Sequence, residues 1–294
     1  MARTKTAIAL GSFDGVHIGH MAVLDNTLKF KDKGMKAVAL LFDCHPKSFF
    51  GVKHHLLLKN EDKIEIIKKM NLDCEIISFE KVRDMTPREF FEEILVKEMN
   101  VGAVCCGYNY CFGKNSSGNV DELNKLCEEF CVQLCVSDCV ENEDGIVSSS
   151  VIRELIKNGD ITKANKMLGR KFFIREKVVH GAKRGHAMGF PTANQHFHSD
   201  MVIPKSGVYV SSTEIDGKIY KSFTDIGNRP TFGETEIRSE THIFDFDGDL
   251  YGKEIKVNLH KYLRSEKKFD SLEELVAQLN DDKLSVIQYF ENII

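Results

Sequence analysis

Two histidines three residues apart, His17 and His20, are the side chains of this sequence with the clearest chemical purpose. They lie in the segment GSFDGVHIGH, which follows a short apolar stretch and opens a run with helical spacing. Free N–H groups and the dipole at a helix start favour a phosphate, and Gly19 leaves room for a nucleotide. Imidazoles at this spacing share one side of the first turn, where they suit the transition-state charge of a phosphoryl group better than a metal ion. The alternative is an ordinary helix start with two exposed histidines.

Three further segments of the first half are predicted to follow strands, at the edge where open α/β sheets bind ligands. They are residues 43–46 (DCHP), 107–113 (GYNYCFG) and 148–153 (SSSVIR). The hydroxyls and the Arg153 guanidinium of the last segment lie at a predicted helix N-terminus, where they are suited to clamp a triphosphate. Each segment also has an alternative, purely structural interpretation, because serine runs usually cap helices and aromatic-glycine loops usually contribute to packing.

The segment GAKRGHAMGFPTAN, residues 181–194, contains more candidate binding residues than any other segment of the second half. It lacks the Gly-Lys-Ser/Thr ending of a Walker A loop, but its glycines expose backbone N–H groups and Lys183 and Arg184 add positive charge. Thr192 and Asn194 are two residues apart, so an extended chain places both on one side. Their oxygens are hard ligands that Mg²⁺ accepts when phosphates and water complete its shell. A glycine-rich hairpin with polar turn residues is the alternative.

Glu240 is a candidate general base, which would activate a substrate hydroxyl for attack on the γ-phosphate of ATP. It precedes a predicted alternating strand, where a lone carboxylate is usually solvated surface. Two other segments are candidates for the lining of a substrate pocket, residues 225–233 (DIGNRPTFG) and 263–266 (LRSE). Neither establishes a pocket by itself.

Composition and charge exclude several classes of protein. The 294 residues are 42% hydrophobic and 29% charged, as in a soluble protein of two domains, and a formal net charge of −4 argues against a general nucleic-acid binder. The longest apolar run, 37–42, is too short to cross a membrane, and we expect no secretory segment. All nine cysteines precede residue 140, and their odd number predicts reduced thiols in the cytoplasm. Four of them repeat every fourth residue from Cys127 to Cys139, but no CxxC pair or nearby His accompanies them, which argues against zinc.

The secondary-structure pattern divides the chain into two predicted domains, residues 1–170 and 171–294. In the first, apolar strands alternate with capped helices, which predicts an α/β fold with a doubly wound, mostly parallel sheet. In the second, short strands between Gly, Asp and Pro turns predict an all-β antiparallel barrel with a C-terminal helix. The predicted strands are 7–10, 37–42, 75–79, 101–106, 132–136, 172–180, 207–214, 218–225, 241–246 and 254–263. The predicted helices are 17–33, 60–70, 86–99, 120–130, 150–157, 160–168 and 271–294. Asn60 is the predicted cap of the second helix, and residues 86–89 (TPRE) predict a capping box with Pro at the first helical position of the third. Residues 215–217 and 246–249 are predicted hairpin loops.

In their order along nearly the whole chain, these motifs resemble the bacterial bifunctional riboflavin kinase/FAD synthetase family. GSFDGVHIGH, DCHP, GYNYCFG and SSSVIRELIKNGDITKANKMLGR are similar to its adenylyltransferase module. VVHGAKRGHAMGFPTAN, PKSGVYV, DIGNRPTFG, ETHIFDFDGDLYGKEI and YLRSEKKFDSLEEL are similar to its kinase module. The resemblance implies a Rossmann-like nucleotidyltransferase fold and a riboflavin-kinase-like barrel. It further implies that ATP phosphorylates riboflavin to FMN, with Mg²⁺ as cofactor, and that AMP is then joined to FMN, giving FAD and pyrophosphate.

The resemblance also assigns residues in the adenylyltransferase module. His17 and His20 would hold ATP phosphates and stabilise the adenylyl transition state, and Asn109 would help to bind FMN or ATP. Ser149 and Arg153 would contact phosphates. Further residues expected to contact the nucleotide or flavin are Gly11, Phe13, Asp14 and Gly19.

In the kinase module, Thr192 and Asn194 would bind Mg²⁺ and nucleotide phosphate, with Glu240 as the base. Arg264 would lie on the flavin-side loop. The further residues expected to contact the nucleotide are Gly181, Lys183 and Gly189.

The chain departs from the family pattern at three places. LFDCHP, residues 41–46, stands where the family usually has Thr-Phe-x-Pro-His-Pro, and Val151 stands where an Arg is frequent. Both changes bear on the rate or flavin affinity of adenylylation. Glu176 replaces a frequent Gly, which bears on how the first barrel strand bends.

Three other functions remain open at this stage. The chain is alternatively a riboflavin kinase with weak or lost adenylyltransferase activity, a flavin-binding protein without turnover, or another nucleotidyltransferase that shares the HxGH motif. In each case we expect small-molecule partners and neither nucleic acid nor a membrane. The sequence does not indicate the oligomeric state.

Overall fold

The computed structural model describes residues 4–49, 51, 54–181, 190–231 and 234–292. The chain forms two compact units, Met1–Val151 and Ile152–Ile294, and each is described by itself. The division between them falls within one helix, Ser149–Asn158, upstream of the domain boundary predicted after residue 170. The position of that functional boundary stays a prediction.

The first unit is built on a five-stranded parallel sheet. Its strands are β1 (Thr6–Leu10), β2 (Lys36–Phe42), β3 (Asp73–Ile77), β4 (Val101–Gly107) and β5 (Gln133–Ser137), in the spatial order β3-β2-β1-β4-β5. β1 is buried throughout, and β2 and β4 are buried along most of their length, as strands covered on both faces should be. All neighbouring strands run parallel, so the predicted doubly wound sheet is confirmed.

Helices link these strands and cover the sheet. They are α1 (Ile18–Leu28), continued by a 3₁₀ turn (Lys29–Lys33), α2 (Pro46–Phe49), α3 (Asn60–Lys69), α4 (Phe79–Val82), α5 (Pro87–Glu89), continued by a π-type helix (Phe90–Glu98), and α6 (Val120–Glu129). A 3₁₀ turn (Lys114–Ser116), a small hairpin of β6 (Glu141–Asn142) and β7 (Gly145–Ile146), and helix α7 (Ser149–Asn158) follow. One sheet face packs against the π-type helix and α6 through side chains such as Phe91, Leu95, Leu123 and Leu126. Each large apolar side chain buried there stabilises the fold by roughly 1.5–3 kcal/mol.

Two predicted helix starts can be checked against the capping geometry. Thr86 and Glu89 form the predicted capping box, with Pro87 at the first helical position. Asn60, predicted as a cap, is instead the first residue of α3, and Lys59 occupies the capping position. The Asn60 amide donates to the Asp43 carbonyl at 2.7 Å, so its side chain is engaged with the end of β2.

The second unit contains a closed six-stranded antiparallel barrel. Helix α8 (Ile161–Leu168) precedes strands β8 (Phe172–Val179), β9 (Thr192–His196), β10 (Gly207–Ile215), β11 (Lys218–Thr231), β12 (Glu234–Ile243) and β13 (Glu254–Arg264), and helix α9 (Leu272–Glu291) follows them. The spatial order is β10-β11-β12-β9-β8-β13, and β13 returns to pair with β10. The predicted barrel and C-terminal helix are therefore confirmed.

The turns between barrel strands follow the prediction in one place and depart from it in another. Asp216 and Gly217 form the predicted hairpin loop between β10 and β11, both with positive φ, as a type I′ turn requires. Residues 246–249 were expected to form a second hairpin, but β12 pairs with β11 and β9, not with β13. The predicted strand 241–246 is also displaced, since β12 runs from Glu234 to Ile243 and includes Glu240.

The barrel interior contains an unusual proportion of hydroxyl groups. Ser211 lies 2.8 Å from both Ser222 and Thr224, and Thr224 lies 2.9 Å from Thr241. These side chains are fully buried and satisfy one another, which removes the cost of burying a lone hydroxyl. On the outside, α9 packs Val286 against an apolar patch of the barrel made by Phe190, Val208, Val210, Phe223 and Phe244.

Candidate active sites

The turn between β1 and α1, residues 11–17, is held in a strained conformation. Phe13, Gly15 and Val16 have φ values of 49°, 85° and 38°. Only glycine adopts such values without strain, and Phe13 and Val16 are fully buried. Strain of this kind costs roughly 1–3 kcal/mol per residue and persists only where the surroundings impose it, commonly at functional sites.

His17 and His20 lie together at the start of α1, as their spacing predicts. His17 caps the helix, and its Nδ1 accepts the His20 N–H at 3.3 Å. The two imidazoles stack with centroids 3.6 Å apart, and the Phe13 ring meets His20 edge-on at 5.3 Å. A Cβ on Gly19 would lie 3.2 Å from the His17 ring, so glycine keeps this surface open. Two imidazoles and a helix N-terminus converge on one place, which suits an anionic group.

The side chain of Asp14 is buried in the protein, and its predicted contact with the ligand stays a prediction. Its side chain is 1% exposed, Oδ1 accepts the Leu57 N–H at 2.9 Å, and Oδ2 lies 3.8 Å from His54 Nε2. Its backbone carbonyl accepts a hydrogen bond from Ser149 Oγ at 2.8 Å. Ser149 therefore lies at this turn, as predicted. The buried Asp14 carboxylate fixes the turn to the protein interior.

Two side chains of this region were missed by sequence reasoning. Lys63 of α3 donates to the Ser12 carbonyl at 3.2 Å, and His54 stacks on His45 with centroids 4.0 Å apart. The signal for Lys63 was its place on the buried face of a predicted helix, where lysine is rare. His54 carried no recognisable spacing signal in the sequence.

The altered segment at residues 43–46 lies directly after β2, at the same sheet edge as the turn. Asp43 accepts the Phe79 N–H at 2.9 Å, and this hydrogen bond lowers the pKa of the Asp43 carboxyl. Burial and the neighbouring Asp43 charge raise the pKa of the Cys44 thiol. Through the His45–His54 stack the segment reaches Asp14 and so the turn that carries His17.

Asn109 and Arg153 lie on separate segments, the first after β4 and the second within α7. Asn109 follows β4, and its Oδ1 would lie 3.5 Å from a Cβ on Gly107, beside the half-exposed Tyr108. Arg153 is buried one turn along α7 from Ser149. Their contacts with a ligand stay predictions, as do those of Gly11, Phe13 and Gly19.

The second candidate site is a row of polar side chains across three barrel strands. Asn194 of β9 lies opposite Glu240 of β12, and Glu240 lies opposite Asp225 of β11. Residues directly opposite each other in antiparallel strands have Cβ atoms roughly 4.5–5.5 Å apart on the same sheet face. Thr192 is on that face too, with its Oγ1 3.4 Å from Asn194 Nδ2. The structure therefore brings Thr192, Asn194 and Glu240 together, and adds Asp225, which sequence reasoning named only as part of a loop.

The approach to Asn194 is shaped by Gly181. A Cβ on Gly181 would lie 2.5 Å from the Asn194 amide nitrogen, so a larger residue at position 181 would force the Asn194 side chain to move. Lys183 and Gly189, also predicted to contact the nucleotide, lie outside the described residues.

His242 supports this row and was also missed. Its Nδ1 lies 2.9 Å from the Pro191 carbonyl oxygen, and its ring is surrounded by Phe190, Phe223 and Phe244. Burial lowers the pKa of His242, so the neutral imidazole donates from Nδ1. The signal was available, because His242 follows Glu240 by two residues and therefore shares its sheet face.

Arg264 is engaged with the C-terminal helix. Its Nε and Nη2 donate to the Asp282 carboxylate at 2.9 and 2.6 Å, and the Asp282 side chain is 2% exposed. This buried, bidentate pair ties β13 to α9. A role for Arg264 on the flavin side of the site stays a prediction.

Comparison with known proteins assigns each half separately. A family model described as FAD synthetase matches residues 1–151, and one described as riboflavin kinase matches residues 168–290. The bifunctional riboflavin kinase/FMN adenylyltransferase of Bacillus subtilis (strain 168) is 33% identical, over 99% of this chain and 94% of its own. The protein of the same description from Escherichia coli (strain K12) is 30% identical, over 96% and 92%.

A solved structure shares the whole architecture. It is described as a macrolide-efflux protein from Streptococcus pneumoniae, has a TM-score of 0.88 and 30% identity, and covers 97% of this chain and 95% of its own. Among the residues described here, no helix is long and apolar enough to cross a membrane. The two matched halves, in this order and with relatives aligned over nearly their full length, show that the chain belongs to the bifunctional riboflavin kinase/FMN adenylyltransferase family.

Proposed function

We propose that the two candidate sites carry the two activities of this family, FMN adenylylation in the first unit and riboflavin phosphorylation in the second. The chain is then an enzyme that converts riboflavin to FMN and FMN to FAD. One observation carries the assignment: each half that matches a family model contains its own cluster of phosphate-directed groups. The stacked histidines lie in the FAD synthetase half, and the Thr192–Asn194–Glu240 cluster lies in the riboflavin kinase half.

In the first unit, a phosphate oxygen of FMN attacks the α-phosphorus of ATP. The new P–O bond forms as the bond to pyrophosphate breaks, so negative charge grows on the α-phosphate and on the leaving group. His17, His20 and the N–H groups at the start of α1 stabilise that charge. The strained turn places these donors before the reaction, so little reorganisation is needed.

The other residues expected to contribute to adenylylation come from several segments of the chain. Gly11, Phe13 and Gly19 shape the surface that the nucleotide approaches, and Ser149 and Arg153 at the start of α7 bind phosphates. Asn109 contributes an amide to FMN or ATP. Asp14 supports the turn by accepting the Leu57 N–H, and its expected contact with the nucleotide stays a prediction.

In the second unit, Glu240 accepts the proton of the ribityl 5′-hydroxyl as that oxygen attacks the γ-phosphorus of ATP. The bond between the γ-phosphorus and the bridging oxygen breaks, and ADP leaves. Asn194 and Thr192 lie beside the carboxylate, where they hold the nucleotide phosphates in line with the hydroxyl. Gly181, with Lys183 and Gly189 of the adjoining segment, contacts the nucleotide.

The residues of this row fit a magnesium ion. Thr192 offers a hydroxyl oxygen and Asn194 an amide oxygen on the same face of β9, and both are hard oxygen ligands of the kind that Mg²⁺ accepts. Mg²⁺ bound there would neutralise charge on the β- and γ-phosphates. We therefore assign Thr192 and Asn194 as its protein ligands.

The decisive experiment is a product time course with riboflavin, ATP and Mg²⁺, in which riboflavin, FMN and FAD are separated chromatographically. FMN that rises and then converts to FAD supports both assignments. FMN that accumulates without FAD favours a kinase with weak adenylyltransferase activity and directs attention to residues 41–46. Binding of flavin without any product favours a non-catalytic flavin-binding protein.

We further propose that the enzyme works in the cytoplasm and handles small molecules, without nucleic acid or a membrane. All nine cysteines are free thiols in the structure, as a reducing compartment maintains them. ATP, its co-substrate in both reactions, is available there.

A further inference from the structure

Lys63 is a buried lysine that the chemistry proposed above does not use. It lies on α3, its residue is 6% exposed, and its ammonium donates to the Ser12 carbonyl oxygen at 3.2 Å. A buried lysine is rare because removing an ammonium from water is costly. This one therefore calls for a reason beyond packing.

The charge of Lys63 is balanced by Asp14. Burial lowers the pKa of the Lys63 ammonium, and the nearby Asp14 carboxylate opposes that shift. Asp14 is itself buried and is fixed by the Leu57 N–H and by His54. The pair thus places a cation and an anion beneath the turn, with neither of them open to solvent.

The turn above this pair needs external support. Phe13 and Val16 keep positive φ values that their side chains disfavour. Two hydrogen bonds hold Asp14, from the Leu57 N–H to its carboxylate and from Ser149 Oγ to its carbonyl, at 2.9 and 2.8 Å. The bond from Lys63 to the Ser12 carbonyl holds the residue just before the first strained position.

We propose that Lys63 is a positioning residue for adenylyl transfer: by holding the Ser12 carbonyl, it keeps residues 11–16 in the conformation that places His17 and His20 against the reacting phosphate. The inference rests on the proposed placement of adenylylation at this turn. His17 is the last residue of the turn and the His20 ring stacks on the His17 ring, so a shift of the Ser12 peptide displaces both imidazoles. A misplacement of about 1 Å at a reacting centre costs roughly 100-fold in rate.

The test compares full-length K63M, K63R and K69M with the unchanged protein. Methionine removes the charge and the donor at similar length, whereas arginine keeps both. Lys69 is on the same helix but exposed, paired with Glu65, and serves as the matched control. In K63M we expect kcat for FMN adenylylation to fall about 10- to 100-fold with KM for ATP changed less than about threefold. K63R recovers most of that loss, K69M loses nothing, and riboflavin phosphorylation by all three stays within about twofold of the unchanged rate.

The split between kcat and KM separates positioning from other roles. An unchanged kcat in folded K63M overturns the inference, and so does a raised KM with unchanged kcat, which would make Lys63 a ground-state binder. Should K63M not fold, as judged by thermal unfolding, K63Q replaces it, and equal kcat in K63Q and K63R overturns the inference. H20A is assayed alongside. If H20A loses FAD formation while K63M keeps its full adenylylation rate, only the proposed role of Lys63 is wrong. If H20A keeps its full adenylylation rate, the proposed site itself is wrong.

Discussion

The two units place their chemical groups in opposite ways. In the first, the strands are apolar and buried, and the candidate groups lie in the turn after β1 and in the segments after β2 and β4. In the second, Asn194 and Glu240 are on the strands themselves, alternating with inward residues such as Ala193 and Thr241. A loop site needs support from distant parts of the chain, whereas a strand site inherits its geometry from hydrogen-bonded register.

Both units nevertheless use the same kind of support for the candidate site. A buried side chain holds a backbone carbonyl next to the candidate site: Lys63 holds that of Ser12, and His242 holds that of Pro191. In the first unit the held peptide adjoins residues with positive φ, while in the second it adjoins an ordinary strand. We therefore expect the loop site to depend more strongly on its support than the barrel site does.

The largest expected effect comes from removing one group from each site. His20→Ala should reduce FAD formation by about 10³-fold, because it removes stabilisation of the transition-state charge, and leave FMN formation within about twofold. Glu240→Gln should do the reverse, since an amide cannot accept the hydroxyl proton. Both rates are measured on each variant with supplied riboflavin or FMN. Parallel loss of both activities in a folded variant would contradict two separate sites.

A second prediction tests whether the barrel depends on its C-terminal helix. Asp282→Ala leaves the Arg264 guanidinium partly buried without its carboxylate, which should lower the free energy of unfolding of the barrel by about 3 kcal/mol. The measurement is hydrogen exchange of β10 and β13 amides across a denaturant series. Asp281→Ala, at the exposed neighbouring position, is the control. Equal stability of the two variants would show that the pair does not hold α9.

A third prediction tests how strongly the barrel site depends on His242, for comparison with the dependence of the loop site on Lys63. His242→Ala should reduce kcat/KM for riboflavin phosphorylation by about 3- to 10-fold, the value of one hydrogen bond, and leave adenylylation unchanged. His242→Asn keeps a donor near the Nδ1 position and should recover most of the rate. His198→Ala, at an exposed histidine, is the control. If His242→Ala lost a larger fraction of riboflavin phosphorylation than K63M loses of FMN adenylylation, the barrel site would depend more on its supporting side chain than the loop site does, contrary to our expectation.

The smallest effect concerns pH. Burial lowers the pKa of His260 to about 4, while its Nε2 lies 2.9 Å from Ser212 Oγ and the rings of Tyr289 and Phe290 pack beside it. The unfolded chain, with a histidine pKa near 6.5, therefore binds its proton first as the pH falls. Barrel stability should be full above about pH 6.5 and decline from there towards pH 4.

His260→Gln supplies the test of that pH dependence. Glutamine keeps a polar group near the Nε2 position but does not titrate, so the decline should become shallower. It should not vanish, because burial also lowers the pKa of His242. Urea unfolding between pH 7 and pH 4.5 measures the slope, with His198→Gln as control. An unchanged slope in His260→Gln would assign the pH dependence to other groups.

The sequence by itself determined most of the architecture, because local patterns carry it. Apolar runs between caps predicted the parallel sheet, and the Thr86–Glu89 capping box and the Asp216-Gly217 turn are confirmed residue for residue. The His17 and His20 spacing placed two imidazoles on one turn, and the alternation at Thr192 and Asn194 placed both on one sheet face. Each of these depends on residues within a few positions of one another.

Tertiary structure decided what joins distant segments. Glu240 lies within β12 opposite Asn194, although its local sequence indicated a position before a strand, because β12 gains its partners from β9 and β11. The local sequence of residues 246–249 predicted a hairpin, but β13, the strand that follows them, pairs with β8 and β10. Asp14 is buried because Leu57 and His54, forty or more residues away in the chain, supply its partners. Local pattern sets the direction of a side chain along its own element, whereas only the packing of remote elements decides what that side chain meets.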